Sequence, residues 1–175
     1  ALKRKDDLIG FVDADMATSP EAFYDLIKNI KKNYGIIASR YVPGAIVSPK
    51  QKFSRIFVSR VFNILVKALF FINYKDTQCG VKLFRRKAIE IIINSLGMTQ
   101  WALDIDLLYN LKKINLSVIE YPTIWSDKSE SKLNTKKASI QMFFAVIQLR
   151  ILNSPLKRTW KFFEPVVGLV WRVVK

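Results

Sequence analysis

Histidine is absent from this sequence, and cysteine occurs once, at Cys79. The first absence excludes a histidine-based catalytic triad and removes the commonest metal ligand, so carboxylates are left as the catalytic acids, bases or metal ligands. The second excludes an internal disulfide and a cysteine-rich zinc site, and a reducing compartment is expected. Acidic residues are scarce: 14 Asp and Glu stand against 29 Lys and Arg, a formal charge of +15 over 175 residues. Such an excess favours an anionic partner, whether nucleotide, nucleic acid or acidic lipid headgroups. No run reaches the ~20 uninterrupted apolar residues of a membrane-spanning helix, so no clear transmembrane anchor is expected. The opening ALKRKDDLIGF lacks Met and the long apolar core of a signal peptide, and the chain is expected to start within a longer protein.

What is present alternates between strand and helix signals. Half of the residues are hydrophobic, enough for one domain with a real core. DLIGFVD is a nearly continuous apolar run, as in a buried parallel strand. TSPEAFYDLIKNIKKNYG follows with Ser19 as N-cap, Pro20 at the first helical position, and Phe23, Leu26, Ile27 and Ile30 at helical spacing. IIASR reads as a second strand. Ser48 and Pro49 repeat the helix-start signal before a long helix in which Phe53, Phe57, Val61, Ile64 and Ala68 mark a broad apolar face. DTQCGVKLF reads as a strand, RRKAIEIII and WALDIDLLYNLKKI as helices, and LSVIEYP as a strand closed by Pro122. This order argues for an α/β fold with an open, mostly parallel sheet.

SDKSESKLNTKK breaks the pattern and reads as a loop, which places a division at residues 1–135 and 136–175. The second segment intersperses Arg150, Lys157, Arg158, Lys161 and Arg172 with Trp160, Phe162, Phe163 and Trp171, and Pro155 and Pro165 divide it. It reads either as an amphipathic helical tail lying in a membrane interface or as a helix packed on the core with a solvated basic face.

Asp13 and Asp15 form a D-x-D triplet at a strand end, where carboxylates can hold Mg²⁺ or Mn²⁺ and, through it, a nucleotide diphosphate; turn-forming and helix-capping roles stand as the alternative. Their position favours a ligand, because open α/β sheets bind beyond the carboxyl ends of their strands. Arg55 and Ser59 lie four apart on one helix face and can grip a phosphate together, with Arg40 at another strand end. Asp104 and Asp106 open a helix, where carboxylates commonly cap free N–H groups.

Taken in order, DADMATSPE, SRYVPGA, RIFVSRVFN, DTQCGVKLFRR and WALDIDLLY resemble the family 2 glycosyltransferases that make polyprenyl-phosphate sugars, especially dolichyl-phosphate β-glucosyltransferases and the related dolichol-phosphate mannose synthases. The resemblance spans roughly residues 8–153, and DTQCGVKLF is its most specific part. It implies a partial GT-A fold with a nucleotide-sugar donor of the UDP-glucose or GDP-mannose type, and inverting transfer to a dolichyl or other polyprenyl phosphate at the cytoplasmic face of a membrane. It implies that Asp13 and Asp15 hold the metal and the donor diphosphate, and that Asp76 and Gly80 line the donor side. Arg40, Arg55 and Ser59 are implied to hold the acceptor phosphate, and Asp104 and Asp106 match the acidic motif that supplies the base in relatives with hydroxyl acceptors.

Two departures qualify the match. Ala17 stands where mannose synthases often have a glutamine ligand, as in the glucosyl-type relatives. The family's N-terminal nucleotide-binding part has no counterpart, so the chain is expected to be the C-terminal two-thirds of a catalytic domain. Two other readings remain: a non-catalytic basic module that binds a membrane surface or nucleic acid, and a family 2 transferase with a hydroxyl acceptor. The aromatics fall within apolar helical faces, which argues against nucleic acid.

Overall fold

The computed structural model describes residues 3–126 except 16, 52 and 98–100, together with residues 135–155 and 157. The core of the fold is a four-stranded sheet in the order β1 (Leu8–Val12), β4 (Val81–Arg85), β2 (Gly35–Ser39), β5 (Val118–Pro122). The sheet is open, as expected, and β1, β2 and β5 run the same way. Strand β4 runs against them, so it pairs antiparallel with β1 and with β2, whereas β2 and β5 pair in parallel. Of DTQCGVKLF only VKLF is strand, and β4 runs one residue beyond it to Arg85. The preceding residues form the loop that leads into it.

Every residue of β2 is buried, because both faces of the sheet are covered. On one face Ile36 and Ala38 of β2 pack with Val81 and Leu83 of β4, with Leu26 of helix α1 (Pro20–Asn29) and with Trp125. The Ser19 side chain caps α1 by accepting a hydrogen bond from the Ala22 N–H, and Pro20 occupies the first turn. On the other face Ile37 and Phe84 meet α2 (Phe53–Phe70), α3 (Arg86–Ile92), α4 (Leu103–Lys113) and α5 (Thr135–Leu152).

Three sequence expectations are corrected. Helix α2 starts at Phe53 and not at Pro49, because Ile46–Val47 instead forms a short strand, β3, parallel to β6 (Ile124–Trp125). Two-residue strands carry no periodicity that could have revealed them. The stripe of α2 marked by Phe53, Phe57, Val61, Ile64 and Ala68 is turned outward, and the helix buries Asn63, Val66 and Phe70. Finally, Ala145, Val146 and Leu149 of α5 are wholly buried in the main core, so α5 completes the domain and is no appendage to it. The loop assigned to SDKSESKLNTKK falls mostly on residues 127–134, and the aromatic part of the tail on 158–175, both outside the described residues.

The two faces of α2 should therefore respond oppositely to truncation. Phe70→Ala, at a side chain 1 % exposed, should cost about 3–5 kcal/mol, whereas Ile64→Ala, 62 % exposed, should cost under about 0.5 kcal/mol, as read by urea denaturation.

Candidate active site

Because β4 is antiparallel, its lead-in loop lies at the edge where β1 and β2 end. Three segments thus meet there: residues 13–19 after β1, Arg40 and Tyr41 after β2, and residues 75–80 before β4. With Arg55 of α2 and Trp125 of β6 they line a polar cleft of about 460 Å³, counting its open mouth, whose other lining residues are Asp13, Asp15, Ala17, Thr18, Arg40, Gln78 and Gly80. Five residues predicted from sequence, Asp13, Asp15, Arg40, Arg55 and Gly80, are brought together in it.

The D-x-D carboxylates are not helix caps, since Ser19 holds that role. Asp15 accepts a hydrogen bond from the Ala17 N–H at 3.0 Å, which shapes the turn after β1. The Asp13 N–H donates to the Gly80 carbonyl at 2.8 Å, fastening the ends of β1 and the β4 loop together. A β-carbon at residue 80 would lie 2.8 Å from the Asp13 Cβ and overlap its carboxylate, so only glycine permits this approach. The Asp13 pKa is raised, first by partial desolvation in the cleft and then by the negative charges of Asp104 and Asp15, against the pull of Lys82 and Arg40.

Arg40 and Asp76 form the tightest contact of the site. The Asp76 carboxylate accepts from Arg40 Nε at 2.8 Å, from Nη2 at 3.0 Å and from the Arg40 backbone N–H at 3.0 Å. Burial alone would raise the Asp76 pKa, but these bonds and the guanidinium charge lower it below the ordinary value. The Arg40 guanidinium also stands 5.4 Å from the ring centres of both Tyr41 and Trp125. Arg40 therefore enters the cleft already braced. Asp76 does not line the cleft, and its role is to hold Arg40. Its own backbone N–H, with that of Lys75, donates to the Glu120 carboxylate on β5 at 2.9 and 2.8 Å.

The remaining predicted residues lie behind the cleft. Ser59 accepts from the Tyr41 hydroxyl at 3.3 Å and so steadies the residue next to Arg40. Asp104 pairs with Lys82 Nζ at 2.9 Å. Asp106, on another face of α4, is wholly buried and accepts from the Gly97 N–H at 2.5 Å and from Asn110 Nδ2 at 2.7 Å. It ties α4 to the preceding loop and does not reach the cleft, which corrects its assignment as a catalytic base. Sequence reasoning missed Thr18, Gln78, Trp125, Glu120 and Lys82. Thr18, Gln78 and Lys82 lie inside the recognised stretches DADMATSPE and DTQCGVKLFRR, whereas Trp125 and Glu120 depend on which strands meet.

Comparison with known proteins gives relatives of one kind. The chain is 36% identical over 146 residues, 79% of its length and 44% of the relative's, to a dolichyl-phosphate beta-glucosyltransferase of Dictyostelium discoideum. It is 31% identical over 157 residues, 86% of its length and 46% of the relative's, to the dolichyl-phosphate beta-glucosyltransferase ALG5C of Trichomonas vaginalis. To the glycosyltransferase AglD of Haloferax volcanii it is 25% identical over 156 residues, 88% of its length and 23% of the relative's. The chain spans about half the length of the first two. The family model for glycosyl transferase family 2 matches residues 3–92, just over half of the chain, which carries the D-x-D strand, the α2 helix and β4. With all of the cleft lining but Trp125 drawn from those residues, the chain belongs to glycosyl transferase family 2.

Proposed function

We propose that the protein transfers a sugar, with glucose the first candidate, from a nucleotide diphosphate to dolichyl or another polyprenyl phosphate. The carrying observation is the cleft that gathers the D-x-D carboxylates and two arginines in one lining. Asp13 and Asp15 would hold Mg²⁺ or Mn²⁺, hard cations that bind through one or two carboxylates plus substrate phosphates. Glycine at 80 leaves the Asp13 carboxylate its place in the cleft lining, where a β-carbon would displace it. When bound, the ion supplies charge neutralisation for the departing diphosphate.

Arg55, exposed at the start of α2, and the braced Arg40 would orient the acceptor phosphate. That acceptor is anionic near neutral pH and needs alignment more than deprotonation. The placement of the second aspartate pair supports this reading over a hydroxyl acceptor, because Asp106 is enclosed and Asp104 is ion-paired. Attack from the face opposite the diphosphate would invert the anomeric carbon.

We also propose a location at the cytoplasmic face of a membrane; contact with a membrane surface is supported by the outward stripe of α2, where Phe53 is 81 % exposed beside exposed Phe57, Val58, Val61 and Ile64. This mixed aliphatic and aromatic face suits a lipid boundary better than base stacking. Among the described residues no helix is long and apolar enough to cross a membrane.

Three measurements test the proposal. Asp13→Asn should abolish transfer to dolichyl phosphate in the full-length protein, yet stabilise the fold with chelator present. A raised pKa means that the stability contributed by protonated Asp13 is lost as pH rises through the folded value, so ionised Asp13 is a cost at neutral pH. The Tm of the variant should exceed that of the wild type near pH 7 and converge with it below the ordinary carboxylate range; retained activity would sink the metal assignment. Arg55→Ala should raise KM for the lipid phosphate about tenfold, leaving donor binding within about twofold, and equal losses would refute the acceptor role. The double change Phe53→Ser, Phe57→Ser should weaken flotation with vesicles containing phosphatidylserine by roughly tenfold, at unchanged Tm.

A further inference from the structure

Strand β4 places a lysine where the pleat calls for an apolar residue. Along β4, Val81 and Leu83 face the α1 side of the sheet, so Lys82 and Phe84 face the main core. Lys82 lies between Phe11 of β1 and Ile37 of β2 in the strand register, and its side chain has no exposure. Its ammonium curls toward the cleft end of the sheet. There it donates to the Cys79 carbonyl at 2.7 Å, pairs with Asp104 Oδ1 at 2.9 Å and lies 5.5 Å from the Phe11 ring centre. A lysine is almost never fully buried unless its charge is used.

The three contacts join β1, the β4 loop and α4 at a single ammonium. Cys79 adjoins Gly80, whose carbonyl binds the Asp13 N–H. Asp104 projects from the first turn of α4, with 28 % of its side chain exposed. The charges of Lys82 and of Asp104 both act on the Asp13 carboxyl, with opposite sign. As an ion pair they present opposite charges to Asp13; removing either partner leaves the charge of the other uncompensated there.

We propose that Lys82 is a positioning residue of the transfer site, whose buried ammonium clamps Asp104 and the Cys79–Gly80 backbone behind Asp13 and sets the net charge under the metal and diphosphate cleft. The proposal rests on the metal reading given above for Asp13 and Asp15. Lys82 touches no substrate in it; it acts through Asp104 and through the loop that shapes the cleft.

A charge cycle read by Mn²⁺ binding to the purified full-length protein tests this without turnover. Lys82→Met leaves Asp104 unpaired and should tighten Mn²⁺ binding about three- to tenfold. Asp104→Asn leaves the ammonium unpaired and should weaken binding by a similar factor. The double variant restores neutrality and should return within about twofold of wild type, as should Lys82→Arg, which keeps the charge. A merely structural lysine would give weakening or no change in every case, and that result would overturn the proposal. Should Lys82→Met fail to fold, Asp104→Asn still decides the matter: weaker Mn²⁺ binding with tighter binding of inorganic pyrophosphate supports the charge role, and unchanged Mn²⁺ affinity or weakening of both refutes it. Binding of inorganic pyrophosphate without metal separates the two readings. If Mn²⁺ binds no variant, the metal reading falls, and Lys82 keeps its role only if pyrophosphate ranks the variants in the reverse order.

Discussion

Strand β4 runs against its neighbours, and the site depends on that one reversal. A parallel β4 would place the loop of residues 75–80 at the far end of the sheet, away from the D-x-D turn and from Arg40. Reversed, it delivers Asp76 to Arg40 and Gly80 to Asp13 without any long connection. The backbone bond between Asp13 and Gly80 and the carboxylate–guanidinium pair of Asp76 and Arg40 are both products of that geometry. Glu120, reaching from β5 to the backbone of Lys75 and Asp76, holds the loop from the other side.

The second organising element is charge placed out of water. Arg40, Asp76, Lys82 and Asp106 are all largely or wholly withdrawn from solvent, and each has its partner within hydrogen-bonding distance. A buried pair adds little to stability compared with a well-packed apolar one, and breaking one costs several kcal/mol. What such pairs provide here is position: a guanidinium pinned in the cleft lining and an ammonium held between α4 and the β4 loop. The excess of positive charge counted over the chain says nothing of this, because the charges that shape the site are local and paired.

Much of the architecture is legible in the order of the residues alone. The Ser19–Pro20 start of α1, the run that becomes β2 and the ordered motifs from Asp13 to Gly80 follow from local chemistry, and local chemistry survives folding unchanged. The direction of β4 is not legible, since VKLFR reads the same in a parallel or an antiparallel strand. The orientation of α2 is not either: its apolar residues outnumber what one face can hold, so periodicity cannot say which stripe faces in. Asp104 and Asp106 show a related limit, because two carboxylates in one helical turn look equivalent until Lys82 and Asn110 are seen to claim one each.

Helix α2 is anchored unevenly along its length. Its buried residues, Asn63, Val66 and Phe70, all lie in the C-terminal half, while Phe53, Arg55, Phe57 and Val58 at its beginning are exposed. Ser59, held by Tyr41, marks the boundary between the two parts. Local stability follows packing, so the free energy needed to displace the helix rises from its first turn to its last. Arg55, which lines the cleft, is thus carried on the less firmly packed end of its helix.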